Sequence, residues 1–325
     1  MPSTTNPTFH LISVRELHPT FGAEISGVDF SRDVPDDVFG EILAAVTKYG
    51  ICIFRATGLD DARHVRFAAR FGELDDVTPY LAGGRPHRLS SAQLFDVGNV
   101  DLDGSVFAVD GVRSEWNRGN TLFHVDSSFN PRRASYSLLR AHELPPPNTG
   151  GATEYADTRT AFDELPEALK TELLAKQYIA AHSLWHSRKT AAPQTFAHVD
   201  PTDYPMGRHL LVQRHEPSRR MNLYLAAHVH HIEGPGLDLD LDAAQSRALF
   251  DMLYRHATQP RYVLRVEWQQ PGDLILWDNT CVMHRATGGS FEGRYRRDMR
   301  RATVHDASST AWGFNEHTDV RQGLP

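Results

Sequence analysis

Apolar residues recur along this chain in two rhythms. In residues 35–50, Phe39, Ile42, Leu43 and Val46 return at three- and four-residue intervals behind Asp36 and Asp37, and the run stops at Gly50. An acidic start, one apolar stripe and a glycine stop predict a helix. Ile51-Cys52-Ile53-Phe54 follows as an unbroken apolar run of strand length. Residues 60–71 resume the helical rhythm up to Gly72, so a βαβ-like opening leads into the core. Further on, residues 134–141 read as a strand, Pro145-Pro146-Pro147 and Gly150-Gly151 as a turn, and residues 158–176 as a helix. Leu249, Phe250, Leu253, Tyr254 and Ala257 mark a helix over 242–257, and residues 261–268 and 273–277 alternate as strands. Two stretches fit neither rhythm. Residues 80–119 are glycine-rich, with Gly83-Gly84, Gly104 and Gly111, and predict short strands joined by a mobile stretch, a lid if it lies beside a reactive centre. Residues 187–217 are polar and punctuated by proline, the pattern of an insertion. Residues 1–325 are expected to form one domain, mainly β with flanking helices, without internal repeats.

Composition narrows the class. Of 325 residues, 40% are hydrophobic, enough to fill a substantial interior. A formal charge of −7 and a pI near 6.2 argue against nucleic acid as a general partner. The two cysteines, Cys52 and Cys281, make no disulfide framework and fit a reducing compartment. The opening MPSTTNPTFH lacks the segments of a signal peptide, and no uncharged apolar run is long enough to span a bilayer. A cytoplasmic protein with no membrane role is expected, its oligomeric state left open.

Candidate chemistry begins at His124-Val125-Asp126. On an extended strand, residues i and i+2 share a face, so His124 and Asp126 can reach one metal ion while Val125 packs behind them. His284, at the end of Trp277-Asp278-Asn279-Thr280-Cys281-Val282-Met283-His284, supplies a second imidazole. Two histidines and a carboxylate make the facial set of mononuclear iron sites, which leaves three adjacent positions for a bidentate co-substrate and dioxygen. The arginine-rich run from Arg294 to Arg301 lies just beyond and offers a wall for a small anion. Strand alternation places Arg297, Met299 and Arg301 on one face, so Arg297 and Arg301 point inward, while Arg294, Arg296 and Arg300 form a solvated edge. His198-Val199-Asp200 repeats the ligand spacing, but Pro201 and polar neighbours disfavour it; Leu122-Phe123 and Ser127-Ser128-Phe129 give His124 the better strand context. His228, His230 and His231 read as surface or pocket-lining histidines.

Several segments together resemble the taurine/2,4-dichlorophenoxyacetate dioxygenase family of iron(II)- and 2-oxoglutarate-dependent oxygenases. They are GAEISGVDF at 22–30, FAARFGEL at 67–74, NTLFHVDSSF at 120–129, GGATEYADTRTAFDELP at 150–166, HATQ at 256–259 and GDLILWDNTCVMHRA at 272–286, spread over nearly the whole chain. ASYSLLRAHELPPP and HVHHIEG look closer to the 2,4-dichlorophenoxyacetate branch than to the taurine branch. The resemblance implies a double-stranded β-helix core, jelly-roll and cupin-like, with His124, Asp126 and His284 as iron(II) ligands. Thr153 and Arg297 match the positions that hold the distal carboxylate of 2-oxoglutarate. Arg301 matches the arginine that takes the co-substrate's other carboxylate or the substrate's acid group. Asn120 and Ser127 would face the substrate, and Trp268 would line the co-substrate pocket. The stretch between His284 and the arginines is slightly longer than the family spacing, which sets Arg296 against Arg297 for the co-substrate; alternation favours Arg297.

The implied reaction is oxidation of an unactivated C–H bond of a small organic acid, aryloxyacetate-like, by dioxygen and 2-oxoglutarate, with release of succinate and carbon dioxide. A biosynthetic oxygenase for an amino-acid-derived acid, acting by hydroxylation, desaturation or ring closure, is the alternative. A zinc hydrolase with the same three ligands and a non-catalytic binding protein on the same scaffold are rival classes. Activity without oxygen or 2-oxoglutarate would mark the first, and small-molecule binding without iron binding the second.

Overall fold

The structure is a computed structural model that describes residues 7–81, 86–235 and 241–318. Gly83-Gly84, part of the expected lid, lies outside them. The amino-terminal βαβ expectation is met by β2 (Ala23–Ser26), α1 (Asp36–Tyr49) and β3 (Ile51–Phe54), with β2 and β3 paired in parallel and β1 (Ser13–Glu16) antiparallel on the outer edge. α2 (Asp61–Ala69) starts where the Asp60 carboxylate accepts the Arg63 amide, which satisfies one of the free donors of a first helical turn. The expected strands of residues 80–119 reduce to β4 (Phe95–Asp96); α3 (Val112–Asn117) and a 3₁₀ turn at Arg118–Thr121 follow, and most of the other described residues are turns and irregular chain.

β5 (Ala134–Glu143), β6 (Thr153–Asp157), α4 (Thr158–Asp163) and α5 (Glu167–Lys176) follow. The sequence predicted one helix over 158–176, and the structure has two. Pro166 has no amide hydrogen to continue the ladder, so α4 ends before it and α5 starts behind it. β7 (Ile179–His182), α6 (Leu184–Ala191), β8 (Gly207–Leu210), β9 (Val212–Arg214), β10 (Met221–Leu223) and β11 (Val229–Glu233) come next. The polar stretch 187–217 is thus more regular than its composition suggested, since β8 pairs with β7 and β9 with β10.

α7 (Ala243–Ala257) opens with a reciprocal cap between Asp242 and Gln245. β12 (Val263–Val266), β13 (Leu274–Asp278), β14 (Val282–Ala286) and β15 (Asp298–His305) complete the chain. The strand expected over 261–268 is shorter, because Pro260 starts a 3₁₀ turn before it.

A mixed seven-stranded sheet runs β1-β2-β3-β13-β5-β15-β4, and a three-stranded antiparallel sheet runs β12-β6-β14. One apolar core lies between them, where Ile53, Leu139, Ile275, Trp277 and Met299 of the large sheet meet Tyr155, Val266 and Val282 of the small one. α1 and α2 cover the outer face of the large sheet through Ile42, Val46 and Phe67. α4 and α7 cover the small sheet, packing Phe162 and Leu253 near Ala156 and Met283. This is a mainly β structure with flanking helices. Among the described residues no helix is long and apolar enough to cross a membrane.

Candidate active site

The site forms where β14 reaches past its own sheet. His284 and His124 exchange backbone hydrogen bonds, His124 N–H to the His284 carbonyl at 2.9 Å and His284 N–H to the His124 carbonyl at 2.8 Å. A single bridge therefore sets two imidazoles side by side, with ring centroids 4.3 Å apart. The HVD segment is not the strand expected from its sequence. It pairs only at His124 and then turns at Ser127, whose φ of 56° is left-handed.

Asp126 still shares the side of His124, and neighbours hold it there. Its amide donates to Asn279 Oδ1 at 3.0 Å, and its Oδ2 accepts from Ser137 Oγ at 2.7 Å. Its Oδ1 accepts from Arg301 Nη1 at 2.5 Å and lies 3.8 Å from His284 Nε2. One ligand atom from each of His124, Asp126 and His284 lies within 4.8 Å of the others, and all three residues are buried.

The protonation states suit a cation. His124 Nδ1 lies 2.7 Å from the Leu122 carbonyl, which only accepts, so this nitrogen carries the hydrogen and Nε2 keeps its lone pair. Burial lowers the pKa of both imidazoles and keeps them neutral. Burial alone would raise the Asp126 carboxyl, but the Arg301 guanidinium, with the Ser137 hydroxyl, outweighs it and holds the group below its ordinary value. Two neutral nitrogens and one carboxylate oxygen fit an iron(II)-type ion. Among the described residues, the buried His284 Nδ1 has no hydrogen-bond partner, which the sequence did not predict.

The arginine wall divides by function. Arg297, just before β15, is buried; its Nε donates to the Gly151 carbonyl at 3.2 Å, and its amide donates to Asn99 Oδ1 at 2.7 Å. Burial pushes its guanidinium down to about 10, and among the described residues no carboxylate pairs with it. Gly151 has a φ of 84°, and a Cβ there would stand 3.1 Å from Arg297 Nε, so glycine permits both the turn and the contact.

Thr153 is buried at the start of β6, and its hydroxyl accepts from Trp268 Nε1 at 3.2 Å. Trp268 stands behind Thr153 rather than on the cavity wall where it was expected. Arg300 also departs from expectation: it is ion-paired to Asp61 at 2.5 Å and to Asp298 at 3.4 Å, because the edge it occupies is covered by α2. Arg294 and Arg296 are exposed, and Arg296 pairs with Glu143.

A cavity of about 780 Å³ opens at the three candidate ligands. Thr153, Arg297, Phe291, Asn120, Ser127, Phe129, Leu184, Arg188 and His228 are among its lining residues. Residues of the 80–119 stretch, among them Tyr80, Phe95, Phe107 and Trp116, form much of the rest. His228 is buried, bonded to Ser187 Oγ at 2.8 Å, with its ring 5.6 Å from that of His124. His230 and His231 bond to each other away from the cavity. His198 is exposed, and Asp200 caps the 3₁₀ turn Pro201–Asp203, so the second HVD serves the surface.

Sequence reasoning did not single out Ser137, Asn279 or Arg188. Ser137 and Asn279 act on Asp126 from β5 and from the turn after β13, and Arg188 lay among residues read as a polar insertion. A second cluster, His215, Asp278 and Cys281, is buried on β9's flank; His215 Nε2 lies 2.9 Å from Asp278 Oδ2 and its Nδ1 2.6 Å from Ser218 Oγ. Burial opposes the charge on His215, yet Cys281 and Asp278 raise it to about 10, which makes this a buried ion pair.

Known proteins resemble this chain over nearly its whole length. Residues 13–303 match the model of the family described as taurine catabolism dioxygenase TauD, TfdA family. The chain is 35% identical over 293 residues to an alpha-ketoglutarate-dependent 2,4-dichlorophenoxyacetate dioxygenase of Burkholderia sp., covering 90% of this chain and 94% of that one. It is 30% identical to an (S)-phenoxypropionate/alpha-ketoglutarate-dioxygenase of Sphingobium herbicidovorans, over 84% of this chain and 88% of that one. The crystal structure of AAD-2 in complex with Mn(II) and N-oxalylglycine superposes with a TM-score of 0.83 at 33% identity, covering 93% of this chain and 100% of that one. With nearly its whole length matched, the chain belongs to the TauD/TfdA dioxygenase family.

Proposed function

We propose that this protein is an iron(II)- and 2-oxoglutarate-dependent dioxygenase that oxidises a C–H bond of a small organic acid, with an aryloxyacetate as the model substrate. The observation that carries the reading is the placement of two neutral imidazoles and one carboxylate in a cavity whose wall holds a buried guanidinium, Arg297, with no counter-ion among the described residues. Bound iron(II) with 2-oxoglutarate and dioxygen supplies the oxidising chemistry, in which one oxygen atom enters succinate, the other enters the substrate, and carbon dioxide leaves. The chain's own residues bind and orient. His124, Asp126 and His284 hold the metal, while Arg297 and the Thr153 hydroxyl take the distal carboxylate of 2-oxoglutarate. Trp268 fixes Thr153, Arg301 steadies Asp126 beside the co-substrate's other carboxylate, and Asn120 and Ser127 face the substrate. Aromatic and aliphatic residues such as Phe95, Phe107 and Leu184 give an apolar substrate body a dry place next to the metal.

The same reading includes a double-stranded β-helix core, supported by the apolar layer shared between the large sheet and β12-β6-β14. It includes a covering role for residues 80–119, supported by their share of the cavity wall. A reducing, cytoplasmic setting is supported by the buried free thiols Cys52 and Cys281.

The test is succinate release from 2-oxoglutarate with iron(II) in air, against a panel of aryloxyacetates, aliphatic acids and amino acids. Stimulation by one class is expected, and His124→Ala and His284→Ala should abolish it. Succinate release that persists in the His284→Ala variant overturns the ligand assignment.

A further inference from the structure

We propose that Arg188 receives the substrate's anionic group, so that the acid docks at the α6 side of the cavity, away from the arginines of β15. The inference rests on the dioxygenase reading and adds where its substrate is held.

Most inward-facing arginines of this protein already have an anion. Arg133 pairs with Asp306, Arg140 with Asp61, Arg159 with Asp157, Arg88 with Asp96 and Asp298, and Arg301 with Asp126. Among the described residues two lack one, Arg297 and Arg188, and both line the same cavity. Arg297 suits the distal carboxylate of the co-substrate. Arg188 stands elsewhere, on α6, four residues after Leu184, so one face of that helix presents an apolar contact and then a cation to the cavity.

The Arg188 side chain is held in place but left electrostatically open. Nη1 donates to the Trp116 carbonyl at 2.5 Å and stands 3.5 Å from Asn120 Oδ1; both are neutral partners. Among the described residues, its buried Nε has no hydrogen-bond partner. The guanidinium packs on Gly119, where a Cβ would lie 2.4 Å from Nη1, so the absence of a side chain there makes room for it. Burial alone lowers its pKa to about 10.

A partly buried cation without a counter-ion is unfavourable in the free protein, and a bound anion relieves it. Neighbouring Ser187 bonds His228, whose ring centroid lies 5.6 Å from that of His124, so α6 borders the same cavity as the three candidate ligands. Leu184, Phe129 and Trp116 then border the apolar body of the substrate. The ligand class is an organic acid with an apolar body and a single terminal anion, carboxylate or sulfate.

The experiment is calorimetric titration of the full-length protein loaded with Mn(II) and N-oxalylglycine, which reads binding without turnover. The probes are phenoxyacetate, hexyl sulfate and the neutral isostere 2-phenoxyethanol. Arg188→Gln is expected to weaken phenoxyacetate by at least about 30-fold, the lower bound for truncating one partner of a buried, hydrogen-bonded charge pair. It should leave 2-phenoxyethanol and N-oxalylglycine affinity unchanged, and Arg188→Lys should recover part of the loss as a point charge without the planar fork. Unchanged phenoxyacetate affinity in Arg188→Gln overturns the assignment and returns the acid to Arg301. Joint loss of phenoxyacetate and N-oxalylglycine makes Arg188 a support of the cavity and also overturns it, as does a wild type that binds N-oxalylglycine but neither anion. A wild type that fails to bind N-oxalylglycine with Mn(II) overturns the dioxygenase reading itself.

Discussion

Asn279 offers the sharpest test of how the metal site is held. Its side chain is fully buried and makes four hydrogen bonds: Oδ1 accepts from the Asp126 amide and Trp277 Nε1, each at 3.0 Å, and Nδ2 donates to the Ser135 carbonyl and Ser137 Oγ, each at 3.0 Å. Ser137 in turn donates to Asp126 Oδ2 at 2.7 Å, so Asn279 grips the ligand residue through its backbone and through its carboxylate.

Asn279→Ala strips two buried donors of their acceptor, the Asp126 amide and the Trp277 indole. The Ser135 carbonyl keeps its bond from the Asn279 amide, and Ser137 keeps its own donor role. At about 1–3 kcal/mol for each orphaned group, the stability loss comes to about 2–6 kcal/mol. Asp126 loses its tether at the same time, and loss of such supporting contacts lowers metal affinity by about 10–100-fold.

Urea unfolding measures the first effect. Mn(II) titration followed by tryptophan fluorescence measures the second, because the Trp277 ring lies 4.6 Å from that of His284. Ser246→Ala is the control: it removes an acceptor from the buried Ile232 amide far from the metal, so it should cost stability without touching Mn(II) affinity. If Asn279→Ala loses stability while binding Mn(II) like the wild type, the claim that this network positions Asp126 is wrong.

Other consequences follow from the same geometry. Arg297→Ala should raise the 2-oxoglutarate KM by at least about 30-fold, since it removes one partner of a buried charge pair, and should leave Mn(II) affinity alone; an unchanged KM would move the anchor to another residue. Trp268→Phe removes one hydrogen bond to the Thr153 hydroxyl, worth about 1 kcal/mol, so a roughly fivefold rise in the same KM is expected. For the pair of His215 and Asp278, the histidine is raised from 6.5 to about 10 on folding. Its contribution is fully present below pH 6.5 and is lost as pH rises through about 10, so stability in urea should fall across that window. Asp278→Asn should flatten the fall, and an unaltered slope would show that the pair carries no linked proton.

The sequence by itself determined the local and chemical parts of this protein. Residues 35–54 carry their helix and strand in periodicity and a glycine stop, and the tertiary structure only pairs β3 with its neighbours. The candidate ligand set His124, Asp126 and His284, whose ligand atoms the fold brings within 4.8 Å of one another, was legible because few residue types can bind a metal and because His124 and Asp126 stand two apart. Alternation also predicted an inward side for Arg297 and Arg301, and both line the cavity, although Arg297 stands just before β15 and the pairing with β5 shifts between Asp298 and Met299.

What crosses from one segment to another was not legible. The HVD segment is not a strand; one bridge to His284 sets its course, and a bridge between residues 160 positions apart leaves no local pattern. In residues 158–176 the helical rhythm runs across Pro166, but a residue without an amide hydrogen splits it into two helices. Arg300 was assigned to solvent because alternation says which face a residue takes but not what covers that face; here Asp61 of α2 does. Arg188 shows the same limit most clearly. Among polar residues an arginine carries no signal, and only the folded chain, by surrounding it with neutral groups and leaving it without an anion, turns an ordinary side chain into a candidate receptor.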